Sequence, residues 1–238
     1  MAASSGPSIG PLSEDAVLIT FGNTIDPDLS AVIRAWCDAI PGVLAGMLTD
    51  LVPSYTSITV YYDPVKADFR QVIHRLRSVP EHITTGPRHN AGREVELPVW
   101  YHPAVGPDLE PLARACDLTV EQVIERHTAG RYQVYALGFS PGFGFMGLVD
   151  ESIAQPRLER PRVKVPAGSV GIANRQTAVY PAASPGGWRV IGRCPTRLFS
   201  EDDLALLSAG DTVRFRAIDR DTFRALGGDD APFEEGHT

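Results

Sequence analysis

Between positions 138 and 195 the chain carries nine glycines and seven prolines in 58 residues. That density forbids long helices, because inside a helix glycine costs about 1 kcal/mol and proline about 3 kcal/mol relative to alanine. Short strands joined by tight turns remain possible. The apolar stretches at 132–138, 162–165, 169–173, 177–180, 188–192 and 212–218 supply them. Many short strands with glycine- and proline-rich turns predict a closed or nearly closed β-barrel in the second half of the chain. Two helices precede it. One covers Asp108–Cys116, and the other opens at Thr119 with Gln122 three residues on, a capping box. On this second helix Val120, Val123, Ile124 and His127 share a face.

The first half reads differently. Its first 14 residues are small, polar and rich in glycine and proline, which predicts a loose tail. Val17, Leu18, Ile19 and Phe21 then form a buried strand, and Asp26-Pro27 opens a helix. Leu29, Val32, Ile33, Trp36, Cys37 and Ile40 make one apolar stripe, ended by Pro41-Gly42. Strands follow at 43–51 and 57–62, then a helix opened by Asp63-Pro64 with Phe69, Val72, Ile73 and Leu76 on one side. The alternation of Val95, Leu97 and Val99 supplies a sixth element. The order β-α-β-β-α-β predicts a ferredoxin-like sandwich over 15–92, with Pro80–Gly92 as linker, before a second domain over 93–226 and an acidic tail over 227–238 that frays. The fold class expected is therefore α+β.

Composition narrows the function classes. With 238 residues there is room for one large domain or two small ones. The net charge of −7 argues against nucleic acid or an anionic membrane as partner. Cys37, Cys116 and Cys194 form no CxxC pair, so neither a structural zinc site nor a disulfide framework is expected. The first basic residue is Arg34, which predicts no signal peptide. The longest uncharged run, Tyr132–Val149, holds four glycines and a proline and makes a poor membrane span. A cytoplasmic location is the expectation.

Two motif matches fall in one loop, and both fail on physical grounds. Gly142-Phe143-Gly144-Phe145-Met146-Gly147 spells GxGxxG, but the crossover helix that a dinucleotide site needs does not follow. Gly138-Phe139-Ser140-Pro141-Gly142 spells GxSxG, but Pro141 has no N–H for an oxyanion hole, and the only later histidine is His237. Other residues keep two readings. His127 is either a core histidine or a general acid/base facing the 140–147 loop. Arg157, Arg160, Arg162 and Lys164, with Arg175 and Arg193 further on, mark either an anion site or a solvated strand edge; on a regular strand Arg160, Arg162 and Lys164 share a face. Phe139, Phe143, Phe145, Tyr180 and Trp188 line a pocket or fill a core, and Ser169 and Gln176 bind an amide or cap a turn.

An ordered series of motifs resembles a known family. Gly138–Phe143 is followed by Pro156-Arg157-Leu158, Pro161-Arg162, Val165-Pro166-Ala167-Gly168-Ser169-Val170-Gly171-Ile172-Ala173, Gln176-Thr177, Tyr180-Pro181, Ser184-Pro185-Gly186-Gly187-Trp188 and Ile191-Gly192-Arg193. Over about 100–218 the chain resembles the allophanate hydrolase subunit 1/KipI family, associated with one subunit of the prokaryotic ATP-dependent 5-oxoprolinase. The first half matches more loosely, through Tyr61-Tyr62-Asp63-Pro64. The resemblance implies a cyclophilin-like β-barrel. It also implies a sister subunit of the allophanate hydrolase subunit 2/KipA type, a LamB/YcsF-type third subunit, and ATP with magnesium shared with a partner, with no tightly bound metal. The reaction it implies is opening of the 5-oxoproline lactam to glutamate. Rival readings are a KipI-like histidine-kinase inhibitor and half of a biotin-dependent carboxyltransferase of the urea carboxylase type.

An unstrained lactam is a poor electrophile, so a site that activates it needs cations for developing charge and a group to move a proton. On that reading Arg162 is the anion contact, and His127, which falls where the family carries a histidine, transfers the proton. Gly142, Phe143, Gly144, Ser169, Gln176 and Tyr180 hold the substrate. The chain departs from the family where Phe145 stands in place of a usual tyrosine, which removes any phenol there. Asn174-Arg175, Cys194 and Tyr101-His102-Pro103 are further departures.

Overall fold

The computed structural model describes residues 6–24, 26–80 and 92–234. The chain divides into two compact units, Met1–Ala91 and Gly92–Thr238. The first contains β1 (Ser8–Ser13), β2 (Ala16–Thr20), α1 (Pro27–Val43), β3 (Leu48–Pro53), β4 (Ser57–Tyr62) and α2 (Phe69–Leu76). Its strands form one antiparallel sheet in the order β1-β2-β4-β3. In β4 the period-two pattern buries Ile58, Val60 and Tyr62, while Ser57, Thr59 and Tyr61 stay half-buried. Ile33, Trp36, Ile40 and Leu44 from the helical segment and Val72 and Leu76 from α2 complete that core.

The structure departs from the sequence-based expectations at three places in this unit. Composition predicts a loose tail over 1–14, yet Ser8–Ser13 pairs with β2 from Ser8↔Thr20 to Ser13↔Ala16. Main-chain hydrogen bonds hold this strand, so its polar side chains give no sign of it. The sixth ferredoxin-like element does not join this sheet. β1 takes the place beside β2, and 94–99 belongs to the second unit. Pro41 does not stop α1, which continues to Val43, with Leu44 N–H still donating to the Ile40 carbonyl at 2.9 Å. A proline so near the end deletes only one ladder bond. The linker expected over Pro80–Gly92 lies, from 81 to 91, outside the described residues.

The second unit contains β5 (Glu94–Val99), α3 (Leu109–Ala115), α4 (Val120–Ala129), β6 (Tyr132–Leu137), β7 (Gly144–Gly147), a 3-10 turn at Glu151–Ile153, β8 (Arg162–Val165) and β9 (Ser169–Ala173). After these come β10 (Gln176–Val179), β11 (Ser184–Gly186), β12 (Arg189–Arg193), β13 (Phe199–Ser200), β14 (Leu204–Ala205), β15 (Thr212–Ala217) and α5 (Arg220–Ala225). Seven strands form one sheet in the order β12-β9-β10-β7-β6-β15-β5. All its pairs are antiparallel except β15 with β5.

The two edges of this sheet meet. Trp100, just after β5, and Arg193, the last residue of β12, exchange N–H···O bonds of 2.9 and 3.0 Å. A side chain at Gly192 would crowd that seam, since its Cβ would lie 2.9 Å from the Trp100 carbonyl oxygen. The sheet is thus a nearly closed barrel, filled by Leu97, Val134, Met146, Ile172, Ile191 and Phe215 among others. The α+β class with a ferredoxin-like sheet and a barrel is the architecture observed.

The glycine-rich run 142–147, expected as loop, is partly strand, because β7 pairs on both sides with β6 and β10. The end of the chain also differs from a frayed tail. Asp230 bridges Arg220 and Arg224 at 2.6 Å each, and Phe233 N–H donates to the Ala104 carbonyl at 2.6 Å. Residues 235–238 lie outside the described residues. Among the described residues no helix is long and apolar enough to cross a membrane.

Candidate functional site

His127 ends the apolar face of α4, which starts as predicted at the Thr119–Gln122 capping box. The ring is fully buried and stacks on Phe215 at 4.6 Å between centroids. Its Nδ1 lies 2.7 Å from the Tyr101 hydroxyl and its Nε2 lies 3.0 Å from Thr177 Oγ1. The Thr177 hydroxyl has a single proton, and it donates that proton to the Gly171 carbonyl at 3.0 Å. Thr177 therefore accepts from His127 Nε2–H, and Nδ1 accepts from Tyr101. The imidazole is neutral and fully satisfied, and burial pushes its pKa down to about 3. Proton transfer to substrate, the role expected from the sequence, requires a ring nitrogen within reach of a bound molecule. Here both nitrogens are engaged inside the core, so the ring is a packing and hydrogen-bonding element joining α4, β10 and Tyr101.

Arg162, at the start of β8, turns inward onto Asp108. Nη1 and Nη2 meet the two carboxylate oxygens at 2.7 and 2.9 Å, and Asp108 Oδ2 also accepts the Val190 N–H at 2.7 Å. The Arg162 and Asp108 side chains are only 12% and 7% exposed, so this bidentate pair is already neutralised and largely dry. The Phe233 ring lies 5.2 Å from the same guanidinium. As an open anion contact Arg162 is pre-empted by its own carboxylate partner. The regular strand that would put Arg160, Arg162 and Lys164 on one face is not formed: strand begins only at Arg162, and the β8–β11 register is irregular between Ser184 and Gly186. Arg162 and His127 have no contact partner in common among the interactions described above.

The expected substrate-binding residues fall into two groups. Phe143 and Tyr180 come together in one aromatic cluster, with centroids 5.4 Å apart and Trp188 5.7 Å from Phe143. Such edge-to-face pairs add roughly 0.5–1.5 kcal/mol each beyond burial. Both residues are 2% exposed, which makes them wall rather than contact surface. Burial raises the Tyr180 phenol above its ordinary pKa, against the opposing Trp188 backbone hydrogen bond and the nearby Arg157 and Arg162. Gly142 stands in the left-handed region at φ +82°, and its Cβ would come 2.8 Å from the Leu198 carbonyl oxygen, so only glycine fits. Gly144 opens β7 inside the sheet.

Gln176 starts β10, half-buried, next to Thr177 and so one residue from the His127 network. Ser169 is fully buried on β9, and its Oγ has no partner among the described residues. Its carbonyl accepts the Tyr180 N–H at 2.9 Å, which ties it to the aromatic group. At the tip of the preceding turn, Phe139 is 65% exposed with φ +69° and lies 5.3 Å from Phe143.

The fold also brings together two cations that are 29 residues apart in the chain. Lys164 and Arg193 line one cavity of about 430 Å³ with Pro166, Ala183, Asp229 and Glu234. The cation run points to both, but not to their meeting or to the acidic segment beside them. Sequence separation hides this, since the two residues belong to strands of different sheets, β8 and β12.

Comparison with known proteins bears on the whole chain. Residues 7–207 match the family described as carboxyltransferase domain, subdomain C and D. A 5-oxoprolinase subunit of Bacillus subtilis (strain 168) is 39% identical over 233 residues, covering 91% of this chain and 95% of that protein. The crystal structure of TTHA0988 superposes with a TM-score of 0.75 at 32% identity, covering 86% of this chain and 40% of that one. The Kluyveromyces lactis urea carboxylase has a TM-score of 0.72 at 14% identity, covering 97% of this chain but 23% of the enzyme, and so speaks to fold alone. This chain therefore spans less than half of either solved protein. The ordered motifs from Gly138 to Arg193, the barrel they build and the match over 7–207 agree: the chain belongs to the carboxyltransferase domain, subdomain C and D, family.

Proposed function

We propose that this chain is one subunit of an ATP-dependent 5-oxoprolinase and acts with a companion polypeptide in the cytoplasm to open the lactam of 5-oxoproline to glutamate. The observation that carries the reading is its near end-to-end similarity to a protein named as a 5-oxoprolinase subunit, at 39% identity over 91% of this chain. In the net reaction the lactam C–N bond breaks, water supplies the new carboxylate oxygen, and the nitrogen takes up a proton. Coupling to ATP would supply the driving force for attack on an unstrained amide.

The glycine run of this chain does not form a cradle for a nucleoside triphosphate. The amides of the glycine run Gly144–Gly147 lie within a paired strand rather than opening toward a phosphate. On this reading ATP with magnesium is shared with the companion, of the allophanate hydrolase subunit 2/KipA type, or with a LamB/YcsF-type third subunit. Here the chain contributes scaffold and substrate contact. His127 and Thr177 hold β10 and thereby Gln176, while the Asp108–Arg162 pair fixes β8 beside β12. They are positioning residues on this reading.

The test is to mix the purified chain with its companion subunits, 5-oxoproline, ATP and magnesium and assay glutamate. Glutamate that appears only when this chain is present supports the reading. Absence of glutamate from a fully assembled mixture, or carboxylation of urea by the same mixture, overturns it.

A further inference from the structure

The barrel strands have two sides, and the outer side carries an apolar group of its own. Period-two alternation sends Met146, Ile172, Val179 and Ile191 into the barrel. Their chain neighbours Phe145, Ala173, Ala178 and Val190 pack outside it, with Phe143 and Trp188. Two exposed side chains border this outer cluster. Phe139, 65% exposed, meets Phe143 at 5.3 Å between centroids. The exposed Arg157 guanidinium lies 5.9 Å from the centroid of the Trp188 ring, which is 5.7 Å from that of Phe143. Half-buried Phe145 stands between them, 4.9 Å from Phe143 and 6.1 Å from Trp188.

Phe139 is held in its exposed position by the turn that carries it. Its φ of +69° lies in a region that residues with side chains rarely adopt. Gly138 N–H donates to the Phe143 carbonyl at 3.1 Å, and Phe143 N–H donates to the Ser140 carbonyl at 3.0 Å. Backbone strain of this kind persists only where the surroundings fix it, and it gathers at binding and switch regions. The phenyl ring gives up the burial that it would gain by folding inward.

The charge beside this cluster runs against that of the chain. Among the described residues, none of Arg157, Arg160 and Arg189 takes part in a salt bridge. The segment 156–161 is tied to β12 and the residue before it, since Arg189 Nε donates to the Pro156 carbonyl at 3.0 Å and Leu158 N–H donates to the Gly187 carbonyl at 2.7 Å. Glu159 is the one carboxylate in that segment. Three cations therefore stand against one carboxylate, in a chain whose net charge is −7. Aromatic residues and arginine are the side chains that protein interfaces favour. A small anion would use the guanidinium groups and leave Phe139 without a role.

We propose that Phe139 anchors a docking face flanked by Arg157, Arg160 and Arg189, which the companion subunit covers with an apolar pocket rimmed by aspartate and glutamate. Opposite charges across the rim would steer the encounter, and the ring would supply the buried centre. The proposal rests on the 5-oxoprolinase reading for the identity of the partner. The solved relative TTHA0988 is consistent with a covered face, because this chain matches 40% of it and the fold is there one part of a longer polypeptide.

The test is interferometry of the full chain against the purified companion of the allophanate hydrolase subunit 2/KipA type, over a series of salt concentrations. Saturable binding that weakens as salt rises is expected. Phe139→Gly should weaken it about thirtyfold or more, as loss of an anchor does, while glycine accepts the left-handed backbone and keeps the turn. Arg157→Glu and Arg160→Glu should each weaken it about fivefold, mainly through slower association. Arg216→Glu on β15, the same change of charge outside the face, should stay within about twofold of the unaltered chain. If Phe139→Gly fails to fold by circular dichroism, Arg160→Glu decides. Absence of binding, equal affinity in the folded variants, indifference to salt, or an Arg216→Glu effect as large as that of Arg160→Glu overturns the proposal. Binding lost in the variants while the unaltered mixture makes no glutamate leaves the face standing and removes the enzyme reading. Glutamate formed at full rate with Phe139→Gly bound as tightly as the unaltered chain removes the face alone.

Discussion

Arg162 and Arg193 lie in the same barrel unit, and both withdraw a guanidinium from water, yet they are met in different ways. Arg162 has Asp108, with two short parallel hydrogen bonds and an N–H from Val190 on the same carboxylate. Arg193 has two backbone carbonyls and an edge without acceptors. The first arrangement is closed, because the cation has its complement inside the fold. The second is met by main-chain oxygens on Nη1 alone, with Nε and Nη2 enclosed and without an acceptor among the described residues. His127 is a third case, a neutral group with both nitrogens satisfied. A polar side chain in a barrel is therefore informative about binding only when its partners are counted.

This contrast is tested first by removing the complement. Asp108→Ala should destabilise the chain by about 3–5 kcal/mol, since it leaves a guanidinium uncompensated in a nearly dry setting. Denaturant unfolding measures it, and Asp108→Leu combined with Arg162→Met should restore most of the loss if the pair is structural. A small effect of Asp108→Ala would mean that Arg162 does not depend on its carboxylate, and the contrast would break.

The next effect is a pH dependence. The His127 pKa is depressed to about 3 in the folded chain against an ordinary 6.5, so the unfolded state binds more protons between those values. Stability is then lost as pH falls through 6.5 toward 3. Between pH 7 and pH 5 this group alone accounts for about 2 kcal/mol. His127→Gln should flatten that part of the stability-versus-pH curve, and an unchanged slope would show that the ring is not the buried neutral group described.

The smallest effect is expected at Arg193. Arg193→Gln loses two carbonyl contacts but also removes a desolvated cation, for a net change of about 1 kcal/mol or less by the same denaturant measurement. A cost matching that of Asp108→Ala would place both arginines in one class.

Much of the barrel was legible because its glycines and prolines left no alternative to short strands, and the Thr119–Gln122 capping box fixed the start of α4. β1 was not legible, because Ser8–Ser13 is held through its main chain and its side chains carry little apolar signal. β7 was hidden by its glycines, which suggest a loop although neighbouring strands pair with it on both sides. At the site, residue types pointed to His127 and Arg162, but type does not show partners. Asp108, Tyr101 and Thr177 stand 54, 26 and 50 residues from the groups they satisfy, and only the fold brings them there. Arg193 and Lys164 were visible as cations, while their shared cavity depends on the meeting of two sheets and on a C-terminal segment whose acidic composition suggests fraying.

The Trp100–Arg193 bridge closes the cylinder like a clasp on a hoop, and its outer link is the residue that also lines the cavity. Amide protons at this clasp should exchange with deuterium sooner than those of β9, which is flanked on both sides. The Arg193 side chain is itself tied to the Asp229 and Ala231 carbonyls, so loosening the C-terminal segment should speed exchange at the barrel's rim first.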